Sequence, residues 1–150
     1  MKVQRIYIDT SVVGGCEDDE FREASLAFFA GVRKGRFRLL VSDLLLEELA
    51  GAPAQVRFHL PRAGRENVFK VLGDDESLEL GQRYLDAGVV GPASGNDALH
   101  VAIATVARAD VVASWNFKHI VHVDKVRGFN AVNLREGYPL IDIRSPLELI

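Results

Sequence analysis

Apolar and polar positions along this chain fall into two alternating patterns. Val3-Gln4-Arg5-Ile6-Tyr7-Ile8 alternates in part and is rich in β-formers, which predicts a strand ending at Asp9-Thr10-Ser11. Over residues 19–34, Phe21, Ala24, Ala27, Phe28, Gly31 and Val32 recur at helical spacing. Residues 37–41 predict a second strand. Ser42 then stands as the N-cap of a helix over 43–50, with an acidic first turn and Gly51 as its stop.

Further along, residues 54–63 predict a helix interrupted near Pro61. Residues 68–72 fit a third strand and fit a helical segment equally. A helix over 74–87 closes at Gly88, and a loop over 92–96 opens onto a helix over 97–109. Residues 111–115 predict a strand with Asn116 just beyond it. A short helix over 119–127, closed by Gly128, and strands over 131–134 and 140–143 complete the expectation.

Strands that alternate with helices predict an α/β fold whose mostly parallel sheet is covered on both faces. No repeat, low-complexity stretch or linker interrupts the 150 residues, so one domain over 1–150 is expected. Sheets of this kind place their chemistry beyond the carboxyl ends of the strands. That rule directs attention to Asp9, Ser42 and Asn116.

Composition narrows the choice of function. With 48% hydrophobic and 26% charged residues, the chain has enough apolar side chain to build a core, and disorder is excluded as the default. No apolar run is long enough to span a bilayer, and the polar N-terminal residues leave no room for a signal peptide's apolar stretch. A cytoplasmic location is the expectation. Cys16 is the single cysteine, so no internal disulfide or thiolate zinc cluster forms, and the acidic residues 17–20 beside it mark it as a bystander. A net charge of −3 argues against holding nucleic acid by bulk charge, yet it agrees with an acidic site whose local sign bound cations reverse.

Several side chains are candidates for chemistry, each with a plainer rival role. Asp9 puts a carboxylate beside the Thr10 and Ser11 hydroxyls at the sheet edge, where Mg²⁺ would find hard oxygen ligands; its rival role is to start a turn. Glu48 shares a helix side with Leu45 and Leu49, whereas an exposed acidic pair with Glu47 is the rival. Asp97 sits in Ser94-Gly95-Asn96-Asp97, which also fits a capping box. Asn116 brings a carbonyl ligand without charge, flanked by Trp115 and Phe117, which serve as packing or as a surface for a base. His100, His119 and His122 lack zinc-site spacing, although His119 stands where it would meet a phosphate. Three basic groups, Arg33 to Arg38, Arg57 to Arg65 and Lys118 to Arg127, are solvated faces or steering patches.

Four segments in order resemble the PIN-domain family, particularly its VapC-type toxin ribonucleases. They are Ile6-Tyr7-Ile8-Asp9-Thr10-Ser11, Val41-Ser42-Asp43-Leu44-Leu45-Leu46-Glu47-Glu48-Leu49, Asp97-Ala98-Leu99-His100-Val101-Ala102-Ile103-Ala104 and Val111-Val112-Ala113-Ser114-Trp115-Asn116. The resemblance implies a three-layer PIN-like α/β fold and a metal-dependent endoribonuclease using Mg²⁺ or Mn²⁺. It implies Asp9, Glu48 and Asp97 as metal-binding carboxylates, with Asp9 and Asp97 holding the main ion. Glu48 would complete the site directly or through water. Ser114-Trp115-Asn116 stands where the family commonly has a fourth acid, so Asn116 would orient a water or ligate weakly. Ser11 and Ser114 would support the carboxylates by hydrogen bonds. RNA would be the substrate, and toxin members of the family usually pair with a small antitoxin and often form homodimers.

Two other readings stand beside this one. Asn116 supports a non-catalytic PIN-like module that binds RNA or protein. A phosphorylated Asp9 would make the chain a phosphatase or receiver, but Ser11 occupies the place of the second acid that chemistry commonly needs.

Overall fold

The first strand, β1 (Gln4–Ile8), runs through the middle of the molecule, and its side chains part to both sides of it. Ile6 and Ile8 point into one buried cluster and Tyr7 into another. The computed structural model describes residues 2–150, and among them five strands form one sheet. Its order is β3-β2-β1-β4-β5, with β2 (Phe37–Ser42), β3 (Val68–Val71), β4 (Val111–Ala113) and β5 (Asp142–Arg144). Every neighbouring pair is parallel. Parallel strands need helical crossovers, which bury both faces and make the central strands apolar throughout.

Three helices cover one face: α1 (Thr10–Gly15), α2 (Arg22–Arg33) and α3 (Asp43–Ala50). Their Val12, Phe28, Phe29 and Leu45 pack on Ile6, Ile8, Leu39, Val41 and Val111. The short α4 (Ala54–Arg57) and a 3-10 turn at Leu60–Ala63 follow α3, so the expected helix over 54–63 breaks near Pro61 as anticipated. Across the sheet lie α5 (Asp75–Asp86), α6 (Gly95–Val106) and α7 (Val123–Arg135), whose Leu80, Tyr84, Val101, Ile103 and Phe129 meet Tyr7, Leu40 and Val112. The result is a three-layer α/β sandwich, as expected. Residues 68–71 resolve to an edge strand, and the sheet is wholly parallel among the described residues.

The chain departs from expectation at 119–134. No helix spans 119–127, and 131–134 is not a strand; α7 covers both from Val123 onward. Phe129, Val132 and Asn133 are its buried residues, a three-and-four spacing that turns one helical face to the core. Gly128 is not a stop, because a Cβ there would lie 2.9 Å from Val89 Cγ1; glycine permits close packing of α7. The stop comes at Gly137, at φ +85°. Helix α1 was not foreseen, and α6 begins at Gly95 instead of Asp97.

β1, β2 and β3 progress outward in one direction, then the chain returns to place β4 on the other side of β1. The crevice between the carboxyl ends of β1 and β4 is the switch point where parallel sheets bind ligands. Asp9 and Ser114 lie there.

Candidate active site

Asp9 leaves β1 with its backbone N–H donating to Ala113 O of β4 at 3.4 Å, so the two strand ends are tied at the crevice. Its side chain is 4% exposed. Trp115 N–H donates to Ser11 Oγ (2.8 Å), which commits the Ser11 proton to Asp9 Oδ1 at 2.6 Å. By the same logic Asn116 N–H donates to Ser114 Oγ (2.9 Å), and Ser114 donates to Asp9 Oδ2 at 2.7 Å. Each oxygen of the buried carboxylate therefore has a hydroxyl donor from a different strand end. Burial nevertheless pushes Asp9 above the usual carboxylate range, opposed by His100 and the two hydroxyls and reinforced by the charge of Asp97.

Glu48 comes from α3, which Ser42 caps by accepting Leu45 N–H at 3.0 Å. Helical phase turns Glu48 partly inward and leaves Glu47 exposed. Thr10 Oγ1 donates to Glu48 Oε1 at 2.7 Å, and His100 Nε2 lies 2.5 Å from the same oxygen. The His100 bond, ahead of the Thr10 bond, holds the Glu48 carboxyl below its ordinary range against a desolvation that acts upward.

Asp97 lies in the first turn of α6, half-buried. The capping role available to it is not realised: Ser94 has φ −104° and ψ 28°, and makes no side-chain cap bond. Burial raises the Asp97 carboxyl, while His119, His100 and the amide of Asn116 lower it; the Glu48 charge acts upward. Asn116 uses its Oδ1 to accept His119 N–H at 2.9 Å, which leaves the amide NH₂ to face Asp97. The carbonyl expected to ligate or orient water is thus engaged with the main chain.

Asp97 links the set: its charge acts on Asp9, the Glu48 charge acts on it, and the Asn116 amide faces it. Among the described residues, however, no three His, Cys, Asp or Glu side chains are gathered as a closed metal-binding group.

His100 and Thr10 are additions to the expected set. His100 is 2% exposed, and its Nδ1 lies 2.5 Å from Tyr7 Oη, itself 2.8 Å from Ser42 Oγ. The available signal was a lone polar ring in the otherwise apolar run of α6, three residues after Asp97 and on its face. Trp115 is a packing residue: it stacks on Phe21 with centroids 4.2 Å apart, and its Nε1–H donates to Ser25 Oγ at 2.8 Å. Of the third basic group, Lys125 Nζ is tied to Val89 O at 2.9 Å and His122 caps α7, while His119 acts on Asp97. Cys16 is buried with its thiol pushed up to about 11, and no described helix is long and apolar enough to cross a membrane.

No family model matches the chain, and no curated protein matches it in sequence. Among solved structures, a chain in the crystal structure of VapBC2 from Rickettsia felis bound to a DNA fragment from their promoter superposes with a TM-score of 0.55 at 10% identity. The match covers 94% of this chain and 98% of that one. At that identity the likeness is one of architecture, and it places this chain in the PIN-like three-layer α/β fold.

Proposed function

We propose that the chain is a metal-dependent endoribonuclease acting at the crevice between β1 and β4. The observation that carries this reading is Asp9, a buried carboxylate at the switch point, wired to both strand ends and facing the charge of Asp97. A carboxylate pushed up by burial and by a second acid marks excess negative potential, which a divalent cation relieves.

The donor set has the chemistry of a Mg²⁺ or Mn²⁺ site. Carboxylate oxygens are the hard ligands these ions take, and the buried thiol of Cys16 belongs to another cluster. Without a gathered triplet, the fit is to an ion held by one or two carboxylates and several waters, which is the usual manner of Mg²⁺. Asp9 and Asp97 would hold it, and Glu48 would close the site from α3. When bound, such an ion supplies charge neutralisation at the phosphoryl oxygens and a water of lowered pKa. The chain's own residues then have defined tasks. Ser11 and Ser114 keep the Asp9 carboxylate oriented, the Asn116 amide faces Asp97, and His119 adds positive potential beside Asp97.

A small antitoxin partner belongs to the same proposal, supported by a fold neighbour solved as VapBC2, and a homodimer is proposed with it. The decisive assay is cleavage of RNA with Mn²⁺ or Mg²⁺ by the native chain and by Asp9→Asn. Metal-dependent cutting that Asp9→Asn abolishes is expected. If neither metal supports cutting, or both proteins cut alike, the nuclease reading fails. The engaged carbonyl of Asn116 favours a second reading in the first case, a PIN-like module that binds RNA or protein without cleaving it.

A further inference from the structure

A row of hydrogen bonds runs from the cap of α3 through the core to Glu48. Leu45 N–H donates to Ser42 Oγ (3.0 Å), and Ser42 Oγ lies 2.8 Å from Tyr7 Oη. Tyr7 Oη lies 2.5 Å from His100 Nδ1, and His100 Nε2 lies 2.5 Å from Glu48 Oε1. One assignment gives every proton an acceptor: Ser42 donates to Tyr7, Tyr7 donates to Nδ1, and Nε2–H donates to Glu48. Among the described residues no buried side-chain polar atom lacks a partner, as that assignment requires. Tyr7 and Ser42 are fully buried, so the row is fixed by the core and not by solvent.

Two donors to Glu48, His100 and Thr10, converge on Oε1, and the Asn96 amide also acts on the carboxyl. We infer that His100 is a positioning residue: it pins Oε1 so that Glu48 presents Oε2 alone and enters the metal site as a one-oxygen ligand. The inference rests on the nuclease reading of the site. His100 has no part in ligation, since Nε2 is spent on Glu48 and Nδ1 on Tyr7. The hydrogen bonds to Asp9 come from serines instead, so the two acids are oriented by separate devices.

The test combines imidazole NMR with Mn²⁺ titration calorimetry on the full chain. In native protein without metal, His100 is expected to show a single Nε2–H tautomer with a slowly exchanging ring proton, altered by Glu48→Gln. His100→Leu is expected to raise the Mn²⁺ dissociation constant about 10- to 100-fold, the range seen when a partner that orients a ligand is removed. His100→Gln keeps an N–H for Glu48 and should recover most of that loss. Should His100→Leu fail to fold, Tyr7→Phe carries the test: it removes the donor to Nδ1, together with the acceptor of Ser42, leaves the imidazole in place, and should shift the tautomer and weaken Mn²⁺. Folded His100→Leu that binds Mn²⁺ as tightly as the native chain overturns the positioning role, as does an Nδ1–H tautomer or an unchanged Tyr7→Phe. A native chain that binds no Mn²⁺ and keeps the Nε2–H signature overturns the metal reading itself, and with it the role of Glu48 as ligand.

Discussion

A carboxylate kept for chemistry and one kept for the fold respond oppositely when the charge is removed. Asp9→Asn separates them. The two serine hydroxyls give Asp9 charge-assisted hydrogen bonds worth about 1.5–3 kcal/mol each. Against them stands the effective penalty of burying one ion, of order several kcal/mol, with the charge of Asp97 added to it. The carboxyl is pushed up, so burial wins over the hydroxyls and His100 combined. Asparagine keeps an acceptor for Ser11 and turns its NH₂ to Ser114, whose proton then passes to Ser11 Oγ at 3.3 Å. It retains weaker hydrogen bonds and loses the ionic penalty. In chelator at neutral pH, Asp9→Asn should therefore gain about 1–2 kcal/mol, or a midpoint rise of about 2–8 °C for a chain of this size. The sign in pH follows from linkage. A folded-state pKa above the unfolded one means the folded state holds more protons between the two, so native stability falls as pH rises through that window. Urea unfolding at several pH values, with and without Asp9→Asn, reads both effects. The gain should vanish at acid pH, where native Asp9 is already neutral. A loss of more than about 1 kcal/mol in chelator at neutral pH would show that the fold needs the charge, and the argument from burial would be wrong.

Other perturbations follow from single contacts. Asp74 caps α5 by accepting Ser77 N–H at 2.9 Å, so Asp74→Ala should lose about 1 kcal/mol in urea unfolding. Those backbone and side-chain bonds from Ser77 lower the Asp74 carboxyl, so its contribution is present above the unfolded pKa and fades as pH falls through the folded one. Gly15→Ala would place a Cβ 2.6 Å from Ser25 Oγ and 2.7 Å from Trp115 Nε1, and should cost about 1–3 kcal/mol by thermal unfolding while breaking the Trp115–Ser25 bond. Cys16, buried and with its thiol pushed up to about 11, should resist alkylation by iodoacetamide in native protein and react fully in urea; fast native labelling would place it at the surface.

How much of this was legible in the sequence depended on whether the cue was local. Asp9 could be placed because a strand of alternating Ile6, Tyr7 and Ile8 ends directly on it. Glu48 was set apart from Glu47 by the helix side it shares with Leu45 and Leu49 together with the resemblance, and the structure keeps Glu47 exposed. Residues 131–134 misled because four residues contain too little period to distinguish strand from helix, and Gly128 resembled a stop when its role is to admit Val89. The capping motif at Ser94 was also local, but α6 starts one residue after Ser94 with that residue outside the extended conformation a cap requires. His100 was out of reach for a different reason. Its partners Tyr7 and Glu48 are 93 and 52 residues away, and only the adjacency of β1, α3 and α6 brings the polar tips together.

That distinction bears on Asn116. Its position after β4 was legible, and its chemistry depended on what surrounds it. A carbonyl bonded to His119 N–H leaves an amide NH₂ beside Asp97, where a fourth carboxylate would add a like charge to an acid that burial and Glu48 already push up. Asparagine thus acts on Asp97 as a donor. Hydroxyls serve Asp9 in the same capacity, and a hydroxyl with an imidazole serves Glu48. The three acids are each held by hydrogen-bond donors rooted in different elements, and on the proposed reading a cation would supply the charge that draws them together.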